Sequence, residues 1–338
     1  MQLLLDREKE LRERYETSWR ITGVASRRLG WIAEPGGLNA TAVAALISDS
    51  IGGISRAGAP APHRQLTDVR SWLAAARADV LFEATSLNVE NGQPGIDHIR
   101  AGLEHGAHAI TANKGPIVYA YRQLRDLAAA RGKKFLFEST VMDGIPIFSL
   151  FEQMPAIHLQ SFHGILNSTT NVILSEMAHR VTFEAALQKA QAMGIAETDA
   201  TNDIEGWDAA VKTAALITVL MDVPITLQEI ERTGIRGLDS SVLYDARMEG
   251  RPYRLVCRAE REGNGVKASV RPERVLAPMS LISGTSSYVC FNTDIFPRLE
   301  ITEGDPGLYA TAYGMMADFI RAVRKSGING TLASSGNV

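Results

Sequence analysis

Cysteine is scarce here: Cys257 and Cys290 are the only two in 338 residues. That excludes a disulfide framework and a cysteine-based zinc cluster, and fits a reducing cytoplasm. A basic excess is missing too. The 35 Lys and Arg stand against 38 Asp and Glu, a formal net charge of -3, so nucleic-acid binding has no electrostatic footprint. No apolar run reaches the roughly 20 residues of a membrane-spanning helix. The opening Met1-Gln2-Leu3-Leu4-Leu5-Asp6-Arg7-Glu8-Lys9 turns at once to mixed charge, unlike a signal peptide. Internal repeats and low-complexity stretches are lacking. So is a Gly-x-Gly-x-x-Gly phosphate turn: Gly263-Asn264-Gly265 begins like one but sits between strand-like segments with no helix after it.

What is present is ordinary for a globular protein. Hydrophobic residues make up 45% and charged residues 22%, enough to build a core, and the length suggests two domains or one with a large insertion. The first third alternates helix and strand. Helical patterns cover Leu3–Tyr15, Thr41–Ser48, Val69–Ala76, Pro94–Glu104 and Ala120–Arg131. Strand patterns cover Arg20–Ala25, Asp79–Thr85, Ala107–Ala112 and Lys133–Glu138. Short apolar strands alternating with helices predict an α/β fold, a parallel sheet covered on both faces. Ligands bind outside the carboxyl ends of such strands. Those ends carry Ser26-Arg27-Arg28, Thr85-Ser86, Asn113-Lys114 and Glu138-Ser139-Thr140. One such polar stretch is an ordinary loop start; four in a row, with a lysine and two arginines, point to a site. Beyond Ile147 the pattern becomes α+β. It has a strand over His158–Leu166, helices over Ser168–Met177, Phe183–Met193 and Asp203–Met221, paired strands over Arg254–Ala259 and Gly265–Val270, and a closing helix over Tyr309–Lys325.

The densest chemistry lies between Gly194 and Lys212. Glu197, Asp199, Asp203, Glu205 and Asp208 crowd ahead of an apolar stretch from Thr213 to Met221. Carboxylates heading into a core must meet cations, water or a ligand, because an unpaired buried charge is too costly. Asp203 suits a helix N-cap, and Glu205 the first turn, where the helix dipole favours negative charge. Asp208 and Lys212 are four apart on one face. On a surface such a pair is worth only about 0.3–0.5 kcal/mol. Here Ala215 and Val219 continue their line, and Ile204, Trp207, Val211, Ala214 and Thr218 form a second, largely apolar stripe. A helix apolar on both sides is mostly buried. Lys212 is therefore expected to be partly desolvated and steadied by Asp208, so placed that it can give and recover a proton.

The ordered combination of Gly164-Ile165-Leu166-Asn167-Ser168-Thr169-Thr170-Asn171, Gly194-Ile195-Ala196-Glu197 and Asp203-Ile204-Glu205-Gly206-Trp207-Asp208-Ala209-Ala210-Val211-Lys212 closely resembles the homoserine dehydrogenase family. Thr111-Ala112-Asn113-Lys114, Gly304-Asp305-Pro306-Gly307 and Thr311-Ala312 resemble it as well. The likeness runs along nearly the whole chain. It implies a Rossmann-like nucleotide domain over 1–137, a substrate and dimerisation domain over 138–307, a helix over 308–325 returning to the nucleotide domain, and a tail over 326–338. The implied reaction is NAD(P)H-dependent reduction of L-aspartate 4-semialdehyde to L-homoserine by a cytoplasmic homodimer. By the resemblance, Lys212 is the proton donor, Lys114 assists beside nicotinamide and substrate, and Glu197, Asp203 and Asp208 bind the amino-acid part. Thr85, Ser86, Lys114, Gly194 and Gly307 would contact the cofactor. Arg27 and Arg28 stand where NAD-preferring relatives place an acid, which suits the 2′-phosphate of NADP. Glu138, with the carbonyls of Val141, Asp143 and Ile145, matches a monovalent-cation site, sodium in the family.

The chain departs from the family at its start. Met1 falls inside what reads as the first helix of the nucleotide domain, so the opening strand and glycine-rich turn are expected upstream of this sequence. A non-catalytic relative that binds small molecules or oligomerises is the competing reading. A thioester-forming semialdehyde dehydrogenase is a weaker one, since Cys257 and Cys290 sit in apolar, strand-like surroundings.

Overall fold

The computed structural model describes residues 1–45 and 66–324. They divide into two compact units, one built on Met1–Ala78 with the chain from Met316, the other on Asp79–Met315.

In the smaller unit the expected first helix is interrupted at Arg7, giving α1 (Gln2–Asp6) and α2 (Glu8–Arg14). Strand β1 (Ile21–Ser26) is followed by β2 (Gly30–Leu38), and the two pair antiparallel, Ser26 opposite Gly30 and Val24 opposite Ile32. This corrects the expectation that the segment 20–25 joins the parallel sheet. The three residues Arg27–Leu29 are too few for a crossover and can only close a hairpin. Gly30 supplies a positive φ of 74° at the turn, and the Ser26 hydroxyl accepts the Leu29 N–H at 3.0 Å. The hairpin packs on α3 (Val69–Ala76), whose Trp72 lies against Gly23 and donates its indole N–H to the Ile32 carbonyl at 2.8 Å. Asp68 caps α3 by accepting the Ser71 N–H. Of the helix expected over Thr41–Ser48, residues 40–45 are helical. The remainder, and the tail over 326–338, lie outside the described residues.

The larger unit begins with a parallel sheet of three strands in the order β3 (Val80–Glu83), β4 (His108–Thr111), β5 (Phe135–Leu136). Helices α4 (Gly95–His105) and α5 (Gly115–Ala130) form the crossovers, and α5 bends at Ala120. After β5 the chain forms a 3-10 turn over Glu138–Thr140 and then α6 (Ile147–Glu152). The strand read over Lys133–Glu138 is thus cut to two residues.

A six-stranded sheet follows, in the order β11-β10-β6-β8-β9-β7. It comprises β6 (Leu159–Ile165), β7 (Glu231–Arg232), β8 (Tyr253–Glu262), β9 (Gly265–Arg274), β10 (Ser287–Thr293) and β11 (Leu299–Glu303). Every pairing is antiparallel except β7 with β9. The hairpin read from Glu262 to Gly265 joins β8 to β9, with those two residues opposite each other. Helices α7 (Ser168–Met177), α8 (Phe183–Ala192), α9 (Thr201–Ile204), α10 (Trp207–Leu216) and α11 (Ser240–Met248) accompany it. Phe162, Leu166, Cys257, Ala259, Val289 and Phe291 of the sheet region share one buried core with Ala210, Val211 and Ala214 of α10. Ile165, Val256, Tyr288 and Cys290 point to the other face and form a smaller core with Val275, Met279 and Ile282. The closing helix α12 (Leu308–Val323) starts in this unit and ends in the smaller one.

The single helix expected over Asp203–Met221 is in fact two, followed by one π turn. Gly206, at φ 78°, stands between α9 and α10, and Ile217–Met221 finish as the π turn. Asp203 therefore lies within α9 and is not an N-cap.

Candidate active site

Three chain turns in the larger unit converge on one carboxylate. The first is the end of β4. Asn113 accepts the Gly115 N–H at 2.9 Å, and its own N–H donates to the Thr111 hydroxyl at 2.9 Å. This tight turn leaves Lys114 at the start of α5. The second is the step from β6 into α7, where Asn167 is the N-cap and accepts the Thr170 N–H at 2.9 Å. The third is the Gly206 break, which sets the α9 residue Asp203 and the α10 residue Asp208 about the same Asn167 amide. Asn167 Nδ2 donates to Asp203 Oδ1 at 2.6 Å and to Asp208 Oδ2 at 3.0 Å.

Asp208 sits between two ammonium groups. Lys114 Nζ is 3.2 Å from Oδ1, and Lys212 Nζ is 3.1 Å from Oδ2. Lys212 also donates to the Leu166 carbonyl at 2.6 Å. The three side chains are only 17–19% exposed. Burial works against the Asp208 charge, but Lys114, Lys212 and the Asn167 amide outweigh it and hold the carboxyl well below its ordinary range. Burial likewise works against the Lys212 charge. Asp208 prevails, with smaller help from Asp143 and Asp203, and the ammonium is held above its ordinary range. Asp203 goes the other way: burial and the neighbouring Asp208 charge push it up, against Asn167 and Lys212. The arrangement is a pair of cations on one ionised anion, beside a second carboxyl whose charge is disfavoured by burial and by that anion.

The carboxyl end of β3 carries a feature that sequence reasoning passed over. Glu83 is buried, and its Oε2 accepts from the Thr111 hydroxyl at 2.7 Å. Oε1 accepts from the Thr85 N–H at 2.8 Å and from the Thr85 hydroxyl. Burial raises this carboxyl, but His98, Thr111 and Thr85 together bring it below its ordinary value. Glu83 thereby fixes Thr85, which also accepts from Asn113 Nδ2 at 3.3 Å, one residue from Lys114. A lone glutamate in an apolar strand gives no signal of such a role until Thr111, 28 residues away, is known to be its partner.

The remaining expected residues are placed as follows. Ser86 is exposed beside Thr85. Gly194 ends α8 with φ 71°, and Gly307 precedes α12; a Cβ at either would meet nothing within 4 Å. Glu197 is exposed, and among the described residues its carboxylate makes no bond to the lysine–aspartate cluster; its backbone carbonyl accepts Gln191 Nε2 at 3.2 Å. Arg27 and Arg28 are exposed at the β1–β2 turn of the smaller unit. Glu138 is buried, and its two oxygens accept the Phe148 and Ser149 N–H groups at 2.7 and 3.0 Å, an anchor for α6. Asp143 accepts from the Thr311 hydroxyl at 2.6 Å. Val141 is fully buried and Ile145 partly so. Among the described residues no group of three or more His, Cys, Asp or Glu is arranged to hold a metal, and no helix is long and apolar enough to cross a membrane. Burial pushes the Cys257 thiol up to about 11, so it is no nucleophile at neutral pH.

Comparison with known proteins bears on this geometry. The family model described as homoserine dehydrogenase matches residues 146–320, and that described as homoserine dehydrogenase, NAD binding domain, matches 7–138. The NAD(+)-dependent homoserine dehydrogenase of Pseudomonas canavaninivorans is 30% identical over 324 residues, 94% of this chain and 91% of its own. The solved homoserine dehydrogenase from Thiobacillus denitrificans superposes with a TM-score of 0.78 at 26% identity, over 96% of this chain and 69% of that one. A hyperthermophilic archaeal homoserine dehydrogenase in complex with NADPH does so with 0.76 at 25%, over 93% and 92%.

Proposed function

Since the chain belongs to the homoserine dehydrogenase family, we propose that its lysine–aspartate cluster reduces L-aspartate 4-semialdehyde to L-homoserine, reversibly, on the route to threonine, methionine and isoleucine. The observation that carries this reading is the Lys114–Asp208–Lys212 bridge at the carboxyl end of β4. Polar side chains at the ends of β3 and β4, and the open Cα faces of Gly194 and Gly307, fit a nicotinamide nucleotide. When bound, that cofactor supplies the hydride that adds to the aldehyde carbon.

The chain's own residues supply the rest. An aldehyde oxygen gains negative charge as its carbon is reduced, and a fixed cation beside it stabilises that charge without reorganising. Lys212 is such a cation. The Leu166 carbonyl and Asp208 hold two of its three protons, leaving the third for the substrate oxygen. In the reduction the proton passes from Nζ to the alkoxide, and the amine recovers one from solvent; in the oxidation the steps reverse. Asp208 keeps Lys212 oriented and protonated, and Lys114, on the other oxygen of Asp208, positions substrate and cofactor. Asp203 and Glu197 are assigned to the amino-acid end. Cofactor preference falls to NADP on the strength of Arg27 and Arg28, and a homodimer is the expected assembly. The buried Glu138 carboxylate accepts two backbone N–H groups and, with the carbonyls of Val141, Asp143 and Ile145, would hold a monovalent cation.

The intact cluster argues against a non-catalytic relative. The test is NADPH consumption with L-aspartate 4-semialdehyde. Lys212→Ala is expected to lower kcat by 10³-fold or more with an unchanged circular dichroism spectrum, and turnover surviving that change refutes the role.

A further inference from the structure

Glu303 is the last residue of β11, and its position is fixed by register. In the sheet Ile165 of β6 lies opposite Tyr288 of β10, and Tyr288 opposite Thr302 of β11. One step along, Ser287 lies opposite Glu303, and Leu166 follows directly on Ile165, the last residue of β6. Strands are spaced about 4.8 Å apart, so Glu303 stands about two strand spacings from the end of β6, next to which the Leu166 carbonyl holds Lys212. Side chains alternate between faces along a strand. Ile165 and Tyr288 belong to the smaller core on the far face, whereas Leu166 belongs to the large core shared with α10, and Leu299 and Ile301 pack on that same core. Glu303, two further on from Ile301, therefore points to the face that carries Lys212.

There the residue is 7% exposed, and among the described residues its Oε2 has no hydrogen-bond partner. A buried polar oxygen without a partner costs free energy. Burial and the nearby Asp143 charge raise the group to about 7, and the Lys212 ammonium pulls the other way. Lys212 and Glu303 are thus electrostatic neighbours, yet no ion pair joins them. Lys212 is already committed to Asp208 and the Leu166 carbonyl. Among the described residues no cation is paired with Glu303.

We infer that Glu303 is a substrate-binding residue whose free carboxylate oxygen accepts the α-ammonium of the amino-acid substrate beside Lys212. The inference rests on the dehydrogenase reading for the identity of the substrate. An α-ammonium is a compact cation with three donors, and its arrival gives Glu303 the partner it lacks and balances the Asp143–Glu303 repulsion. Glu303 recognises the end of the molecule remote from the reacting carbon. Its loss therefore weakens binding in ground and transition states alike and leaves the chemical step almost untouched.

The test compares wild type with Glu303→Gln in homoserine oxidation and in calorimetric titration with L-homoserine. The expected result is a tenfold or greater rise in KM and Kd for L-homoserine, with kcat changed less than threefold and KM for the nicotinamide cofactor unchanged. Glu303→Asp should recover part of the affinity. 4-Hydroxybutyrate, which lacks the ammonium, should bind both proteins equally weakly. A Glu303→Gln protein that melts no lower than wild type shows that folding is intact, because the amide keeps the shape and sheds a buried charge. Unchanged L-homoserine affinity in Glu303→Gln overturns the inference, as does an equal loss for cofactor and substrate, which marks a merely structural role. A wild type that binds L-homoserine through Glu303 yet shows no turnover overturns the dehydrogenase reading alone.

Discussion

Lys212 and Asp208 show how far residue spacing carries and where it stops. Their i,i+4 separation, between two apolar stripes, is visible in the sequence and gives a half-sheltered ion pair, as found at 3.1 Å. What the spacing left open is which force wins at Lys212. Burial alone would discharge it, but Asp208 keeps it charged. The Leu166 carbonyl and the Asn167 amide complete the site from 46 and 41 residues away, and no local pattern encodes such partners. Replacing Asp208 with Asn leaves two sheltered ammonium groups facing each other without the anion between them. Breaking a buried pair in this way costs about 3–5 kcal/mol, and the residual exposure of the cluster places the loss toward the lower end. Urea unfolding at pH 7 should show it, with kcat falling at least 100-fold. The pH dependence has a definite sign. The folded Asp208 is depressed from 3.8, so its contribution is present above that pH and disappears as pH falls below it. Lys212 is raised from 10.5, so its contribution holds below that pH and fades as pH rises beyond it. The stability gap between wild type and Asp208→Asn should be flat between these limits and close outside them.

Among the elements, those with strong local signals were readable. The β8–β9 hairpin follows from Gly263-Asn264-Gly265 between alternating strands, and α3, α4, α7 and α8 fall within a few residues of their predicted limits. The helix expected over Ala120–Arg131 begins five residues earlier, at Gly115; in the misread first helix, β1 and the acidic helix, a glycine or a short turn overrode a periodic pattern. The run from Asp203 to Met221 looks like one helix because Gly206 is a single interruption. At φ 78°, however, it turns the chain and lets Asp203 and Asp208 share the Asn167 amide, which one straight helix would not allow for residues five apart. Gly206→Ala tests this. Its Cβ would meet Val270 and Arg232 side chains at 3.4 and 3.5 Å, ordinary contact, so the penalty is the left-handed backbone, about 1–2 kcal/mol. Denaturant titration should read that loss. If the α9–α10 geometry sets the site, kcat/KM should fall tenfold or more even where the protein remains fully folded.

For the whole molecule, two divisions of the chain coexist. The family models change over between residues 138 and 146, close to the boundary read at 137, whereas the compact units part at Ala78 and Met315. The parallel strands β3, β4 and β5 belong to the larger unit, where the residue after the β4 turn, Lys114, is bridged to Asp208 of α10, while the β1–β2 hairpin packs on Trp72 in the smaller unit. The proposed preference for NADP rests on the hairpin turn. Arg27 and Arg28 are both exposed there. A 2′-phosphate carries about two negative charges and pairs strongly with guanidinium groups, whereas a free ribose hydroxyl gains little from them. The relatives do not decide the matter, one being described as NAD(+)-dependent and another as bound to NADPH. If the arginines hold the phosphate, Arg27→Ala with Arg28→Ala should raise KM for NADPH tenfold or more and leave KM for NADH within twofold. The NADPH effect should also shrink with added salt, since exposed charge pairs are screened over about 8–10 Å at physiological ionic strength. Equal kinetics for the two cofactors in the wild type, unmoved by the double substitution, would remove these arginines from the cofactor site without touching the case for Lys212, whose partners all lie in the other unit.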